Sequence, residues 1–423
     1  ITVAFPYGKE FLTHSFEDFQ LKAVLTSKIH DYKSALSQEA LVEDALKFPI
    51  GSKPLQELAK GKHNVVIIAS DHTRPVPSKI IIPAMLREIR MGNPDADITI
   101  LIATGCHRGT ERSELIAKFG EEIVEKEKIV VHNCDDEENL VNIGTLPSGG
   151  QCTINRIAWE ADLLCAEGFI EPHFFAGFSG GRKSVLPGIC DKVTVLGNHC
   201  SKFIDSPFAR TGILDNNPLH CDMLEAARLA KLAYIVNVVI DESKKTVAAF
   251  AGNYVTAHRT GCDFLLGYCR VKAQIADIVI TSNGGAPLDQ NLYQCVKGMT
   301  AAEASCRSGG TIIMCAECAD GHGGEGFYKA LRDCKSLAEL YARQMATPQD
   351  KTAPDQWESQ ILARILMHHK VIVVSRPEMQ KTIEDMKMQY APNLDAALKA
   401  AKYGNSKTLT VIPNGISVII ANQ

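Results

Sequence analysis

The feature that most constrains this chain is an alternation of two periods. Short runs rich in Val and Ile occupy residues 63–70, 97–103, 128–132, 162–166, 234–240, 277–281, 311–315 and 371–375. Stretches with helical spacing lie between them, at 84–90, 112–119, 222–231, 291–306 and 358–368. A helix that carries the chain back across one face of a sheet leaves its flanking strands parallel. The pattern therefore predicts an α/β fold with largely parallel sheets. One exception is 234–250, where Asp241-Glu242-Ser243-Lys244 reads as the turn of an antiparallel hairpin. A chain of 423 residues is too long for one ordinary core. We expect two α/β domains: residues 1–268, closing with a helix-like 256–267, and residues 269–407, which start a new strand–helix series at Ala276. Runs 409–412 and 416–420 flank Pro413-Asn414-Gly415 and read as a last hairpin, so that residues 408–423 are placed to rejoin the first domain.

Composition excludes several classes. Hydrophobic residues make up 45% and charged residues 22% of the chain, the balance of an ordered globular protein. A net charge of -4 gives no bulk attraction to a phosphate backbone, so no nucleic-acid partner is expected. No apolar run approaches the length of a membrane span, so no membrane partner is expected either. The start, Ile1-Thr2-Val3-Ala4-Phe5, reads as a strand without the charged-then-apolar layout of a secretory leader, and its lack of Met leads us to expect a trimmed start. The 14 cysteines are scattered singly, and Cys315-Ala316-Glu317-Cys318 has no second C-x-x-C pair to complete a structural zinc site. Reduced thiols in a cytoplasmic protein are the expectation.

In open α/β sheets ligands bind beyond the carboxyl ends of the strands. The residues that follow each run are polar or rich in glycine: Asp71-His72-Thr73-Arg74-Pro75, Thr104-Gly105-Cys106-His107-Arg108-Gly109-Thr110, residues 167–173, Thr281-Ser282-Asn283-Gly284-Gly285, and residues 317–326. Solubility alone does not require that concentration. His107 and His173 each follow a strand beside glycines and are candidates for proton transfer, because imidazole titrates near neutrality. His63, His132, His220, His258, His368 and His369 lack such a setting and are expected to be structural.

The segment Gly177-Phe178-Ser179-Gly180-Gly181-Arg182-Lys183-Ser184 is like a phosphate-cradling loop. The nucleoside triphosphatase pattern, however, needs Gly immediately before its Lys, where this chain has Arg182, and Pro187-Gly188 stops any long helix after it. What remains is an anion- or cofactor-binding loop with one conspicuous amine. Lys183 has little steric cover and a cationic neighbour, which favours covalent chemistry once the amine is partly desolvated. In Gly197-Asn198-His199-Cys200 the imidazole and thiol are adjacent and rarely both reach one metal, which leaves His199 as the simpler ligand. No second protein ligand accompanies it at a usual spacing, so a metal there would take its other ligands from a cofactor. A dehydrogenase using diffusible nicotinamide would want G-x-G-x-x-G and an acid about 20 residues on, and neither is present. A non-enzymatic anion binder would have no need of His107, His173 and Lys183 together.

Taken together, Asp71-His72-Thr73-Arg74-Pro75-Val76-Pro77, the Thr104–Thr110 loop, Glu171-Pro172-His173 with the glycine-rich run to Ser184, Gly197-Asn198-His199, and residues 287–300 resemble the nickel-dependent lactate racemase family over essentially the whole chain. The resemblance implies two α/β domains with the active site in the cleft between them. It implies an isomerase that interconverts D- and L-lactate by hydride transfer to and from a nickel pincer nucleotide, through pyruvate. Racemisation or epimerisation of another 2-hydroxy acid with the same cofactor is the alternative. The implied cofactor is nickel held by pyridinium-3-thioamide-5-thiocarboxylic acid mononucleotide, attached covalently through Lys183 and supplied by separate maturation enzymes. His199 matches the metal ligand, and His107 and His173 match the two acid–base histidines. Arg74, Tyr293, Gln294 and Lys297 match substrate-binding residues, while Asp71 and Trp357 match residues that line the cofactor. The chemistry agrees with these roles. Removing a proton from Cα would leave a carbanion beside a carboxylate, whereas removing that hydrogen as hydride leaves a neutral ketone.

Overall fold

The computed structural model describes residues 1–16, 20–404 and 406–421. The strand Asn64–Ser70 is apolar and buried through its middle five residues, the pattern of a strand covered on both faces. It sits inside a six-stranded sheet in the order Thr246–Gly252, Leu232–Ile240, Leu163–Phe169, Asn64–Ser70, Asp97–Ala103, Lys128–Val131. Every pair is parallel except the first, which is the antiparallel hairpin expected at 234–250. Helix Ser78–Gly92 covers one face, with Ile81, Ile82, Met85, Leu86 and Ile89 packed in one core with Val65, Ile67 and Ile100.

The second sheet also has six strands, in the order Gln389–Ala391, Lys370–Val374, Cys306–Cys315, Ala276–Ser282, Leu409–Ile412, Leu21–Val24, and all of its pairs are parallel. Each sheet has a place where the chain, having added strands outward on one side, returns to add them on the other. In the first it lies between Asn64–Ser70 and Leu163–Phe169; in the second, between Ala276–Ser282 and Leu409–Ile412. At such switch points loops diverge and leave a crevice beyond the strand ends.

The two ends of the chain depart from the expected layout. The hairpin of Thr2–Tyr7 and Glu10–Ser15 does not belong with the first sheet: Val3, Phe5 and Phe16 bury in one cluster with Ile278, Ile280 and Ile313 of the second. Nor do the strands of residues 409–421 pair with each other as a hairpin, although Ile419 buries in one cluster with Ile170, Phe178 and Val239 from the side of the first sheet. Leu409–Ile412 takes the slot beside Ala276–Ser282, where both its edges are paired. The turn that follows is held across the strand ends, since Gly415 N–H donates to Ser282 O at 2.9 Å and Ser282 Oγ donates to Pro413 O at 2.6 Å. Ile419–Ala421 then pairs in parallel with Arg270–Lys272. All 14 cysteines are free thiols. Among the described residues no helix is long and apolar enough to cross a membrane.

Candidate active site

Three loops of the first sheet converge beside its switch point. Asp71 is the first residue after Asn64–Ser70, and its Oδ1 accepts from Thr73 N–H (3.1 Å) and Thr73 Oγ (2.6 Å), a tight turn that sends Arg74 outward. The other oxygen, Oδ2, accepts from His107 Nδ1 at 2.7 Å. Burial pushes the Asp71 carboxyl up, but the hydrogen bond and charge of His107, the Thr73 hydroxyl and Arg74 outweigh it and hold the group at about 2. His107 itself is half-exposed, and because its Nδ1–H is committed to Asp71, its Nε2 keeps a lone pair. The loop carrying it is pinned to the next one, Gly105 N–H donating to Gly188 O at 2.9 Å.

The third loop follows Leu163–Phe169. It forms a two-residue ladder, Pro172–His173 against Gly177–Phe178, and then one 3-10 turn over Gly181–Ser184. His173 Nδ1 accepts from Ala176 N–H at 3.2 Å, which assigns the ring proton to Nε2. Nε2 stands 3.2 Å from Lys183 Nζ, and the amine accepts through a lone pair that only its neutral form possesses. Electrostatics favour this state. Burial, then Arg182, Arg74 and Lys297, hold Lys183 well below the usual amine range against the pull of Glu171. Burial and the charges of Lys183, Lys297, Arg74 and Arg182 likewise hold His173 well below the usual imidazole range.

A stack of rings leads from this loop to the second sheet. Phe175 lies under Lys183 Nζ (5.7 Å) and meets His199 at 5.3 Å; His199 meets Trp357 at 4.8 Å; and Trp357 Nε1–H donates to Tyr293 OH at 2.9 Å. His199 ends helix Lys192–Asn198, and its Nδ1–H donates back to Val195 O at 2.8 Å, leaving the Nε2 lone pair free for a ligand. Burial and then Lys183 lower its pKa to about 3. Among the described residues no group of three or more His, Cys, Asp and Glu could hold a metal.

The second sheet contributes helix Leu292–Glu303, capped by Asn291, whose side chain accepts from Gln294 N–H. Tyr293 and Lys297 are one helical turn apart and share a face. Gln294, Lys297, Asn283 and His173 line one pocket, which shares Glu171, Pro172, Leu288 and Ile416 with a wider cleft of about 210 Å³ between the sheets. Burial and Arg74 lower Lys297, opposed by Glu171 and Glu358.

The ten residues proposed from the sequence thus fall into linked sets: Asp71 with His107; His173 with Lys183; His199 with Trp357 and Tyr293; Gln294 and Lys297 with His173 in one pocket; and Arg74 near enough to act on His173, Lys183 and Lys297. Sequence reasoning misses three supporting groups. Glu167, buried in its strand, accepts from Ser70 N–H (2.8 Å) and Ser78 Oγ (3.1 Å) and fixes the turn before Asp71. An acid inside the apolar run 163–169 is the one signal it gives. Phe175 has none beyond its place beside His173. Glu358, next to Trp357, is fully buried, and neither carboxyl oxygen has a hydrogen-bond partner among the described residues.

Residues 7–212 match the family model of the lactate racemase N-terminal domain, and residues 271–420 that of the lactate racemase C-terminal domain. The chain is 56% identical over 423 residues to a lactate racemase of Thermoanaerobacterium thermosaccharolyticum, covering 100% of this chain and 99% of that protein. It is 53% identical over 422 residues to a lactate racemase of Lactiplantibacillus plantarum, covering 99% and 100%. The solved structure of the lactate racemase apoprotein from T. thermosaccharolyticum superposes with a TM-score of 0.97 at 55% identity, covering 100% of both chains. A crystal structure of a Thermotoga maritima protein shares the fold, with a TM-score of 0.67 at 20% identity over 91% of this chain and 98% of that one.

Proposed function

Because this chain belongs to the lactate racemase family, we infer that it is an isomerase that interconverts D- and L-lactate. The observation that carries the reading is the pair of differently held imidazoles that follow the two strands flanking Asn64–Ser70: His107 backed by Asp71, and His173 backed by Lys183. In this reading the two sheets are the two lobes of a cytoplasmic enzyme, the change from one to the other falls near residue 268, and lactate sits between them.

The residues present fit a nickel pincer nucleotide. Lys183 offers a neutral amine for covalent attachment, and His199 offers one nitrogen to a metal whose remaining ligands the described residues do not assemble. When bound, that group would supply the acceptor and donor for the Cα hydrogen with its electron pair, made ready by separate maturation enzymes. The protein does the rest. Arg74 and Lys297 hold the carboxylate, the guanidinium through paired charge-assisted bonds. Gln294 and Tyr293 orient the hydroxyl end, and Trp357 and Asp71 close the walls around the cofactor.

His107 Nε2 takes the hydroxyl proton from one enantiomer, with Asp71 steadying the imidazolium that results. His173 serves the other enantiomer through Nε2. To accept there its ring proton must shift to Nδ1, and the 3.2 Å contact with Ala176 is the bond that yields. The flat keto acid, pyruvate, turns within the cationic clamp before the proton returns.

The test is racemisation in heavy water by protein produced with the maturation enzymes. L-lactate should racemise with Cα mostly unlabelled, and Cα-deuterated lactate should react more slowly and keep its label. Deuterium entering Cα as fast as racemisation proceeds would replace hydride transfer by proton abstraction, and the absence of racemisation would remove lactate as substrate.

A further inference from the structure

We propose that Arg182 is a positioning residue for the lysine that follows it: its guanidinium gathers the loop that carries His173 and sets Lys183 Nζ against that ring. This rests on the reading of Lys183 as the attachment point. The Arg182 side chain is fully buried. One terminal nitrogen donates to Phe178 O (2.7 Å) and Gly180 O (3.1 Å), the other to Ala176 O (2.7 Å), and Nε donates to His220 Nδ1 (2.9 Å). Three carbonyls of residues 176–180 are thereby drawn around one planar cation. Ala176 is also the residue whose N–H holds His173, so the guanidinium and the imidazole grip the same peptide segment from two sides.

The outer wall of this cradle is built to match. His258 Nε2–H donates to Ser179 O at 2.8 Å and lies 3.5 Å from the guanidinium. Gly181, at φ 54°, passes so close to His258 that a Cβ would stand 2.6 Å from the ring, so this turn admits only glycine. Burial and Arg182 keep both histidines neutral, His220 at about 3 and His258 well below the imidazole range.

Every acceptor of Arg182, three backbone carbonyls and His220 Nδ1, is therefore uncharged, and among the described residues no carboxylate pairs with it. Burial lowers its own value only to about 10, so it remains a cation at neutral pH. The charge is left to act on its neighbours. The charged groups around Lys183 are Arg182, Arg74 and Lys297 on one side of the balance and Glu171 on the other, with His173 neutral in contact and His199 neutral beyond Phe175. After burial, Arg182 is the strongest of these in favouring the free amine. A solvated salt bridge at this position would hold the loop without that effect.

The test uses the protein without cofactor. Cyanate, as isocyanic acid, adds across a neutral amine to give a carbamyl group with no leaving group, and it is small enough to enter a half-buried site. Peptide mass analysis from pH 6 to 10 follows Lys183 against exposed Lys60 as an internal reference. In the wild type Lys183 should reach half of its full reactivity at lower pH than Lys60. Arg182→Gln should move that midpoint up by about one unit, cutting the Lys183-to-Lys60 ratio at pH 7 about tenfold. His220→Phe, which removes one of the guanidinium's partners, should move it less and in the same direction, and it carries the test if the first variant does not fold. An unchanged midpoint in a folded Arg182→Gln, or in His220→Phe where the former is unfolded, overturns the proposal. A wild-type Lys183 that carbamylates early but gains no mass adduct with the maturation enzymes overturns the attachment reading and leaves the positioning role intact.

Discussion

Replacing Asp71 by Asn separates the orienting role of this side chain from its bulk. In the folded protein the carboxyl is almost wholly buried, accepts from His107 Nδ1 at 2.7 Å, and is held at about 2 instead of the ordinary 3.8. A difference of about two units is worth about 2–3 kcal/mol in favour of the ionised form. The sign follows from its direction. A carboxyl depressed in the folded state contributes stability above its ordinary value and loses it as pH falls from about 4 toward 2. Asparagine can keep the Thr73 bonds through Oδ1, which turns its amide nitrogen toward His107. An amide N–H cannot accept from Nδ1–H, so the ring must move its proton to Nε2, and the lone pair that takes the substrate proton is lost. A hydrogen bond to a charged group is worth about 1.5–3 kcal/mol, which corresponds to a fall in kcat of about ten- to 150-fold. Initial rates from both enantiomers at saturating lactate measure it, with urea unfolding at pH 7 and at pH 3.5 as the companion. The loss should appear in both directions, and the stability gap between variant and wild type should narrow at the lower pH. A kcat within twofold of wild type, alongside an inactive His107→Ala, would refute the claim that Asp71 sets the tautomer.

Three further outcomes follow from the same geometry. Arg74→Lys exchanges a fork for a point charge and should lower kcat/KM by about ten- to 150-fold; near wild-type efficiency would make Arg74 structural. His199→Ala should retain the mass adduct on Lys183 but lose nickel by elemental analysis, whereas Lys183→Ala should lose the adduct; stoichiometric nickel in the His199 variant would sink the metal assignment. Burial, against the pull of Lys297 and with Asp355 adding to it, raises Glu358 well above the usual carboxylate range, so its contribution to stability is full below about pH 4.5 and is lost as pH rises. Glu358→Gln should therefore gain stability over wild type in urea at pH 8 and match it at pH 4, and a variant less stable at pH 8 would mean that the ionised form is the one the fold uses.

How far a reader of the sequence gets depends on the range over which each contact is decided. The parallel architecture is legible because each strand–helix unit is local. Once strands are parallel their carboxyl ends share an edge, which is why Asp71, His107 and His173 group together from their places along the chain alone. The pairing of Leu21–Val24 with Leu409–Ile412 is not legible, since a four-residue strand carries no mark of a partner at the other end of the chain. Arg182 shows the difference within one residue. Its position tells against a triphosphate loop, and that inference needs only the neighbouring residues. Whether its guanidinium faces an anion outside or the protein inside is settled elsewhere, by His220 and His258, which lie 38 and 76 residues further along the chain. By position these two histidines are structural, as their sequence setting suggests, yet they turn the arginine inward. An inward arginine closes the loop around its own carbonyls and leaves Lys183, not Arg182, beside His173 as the proposed attachment point.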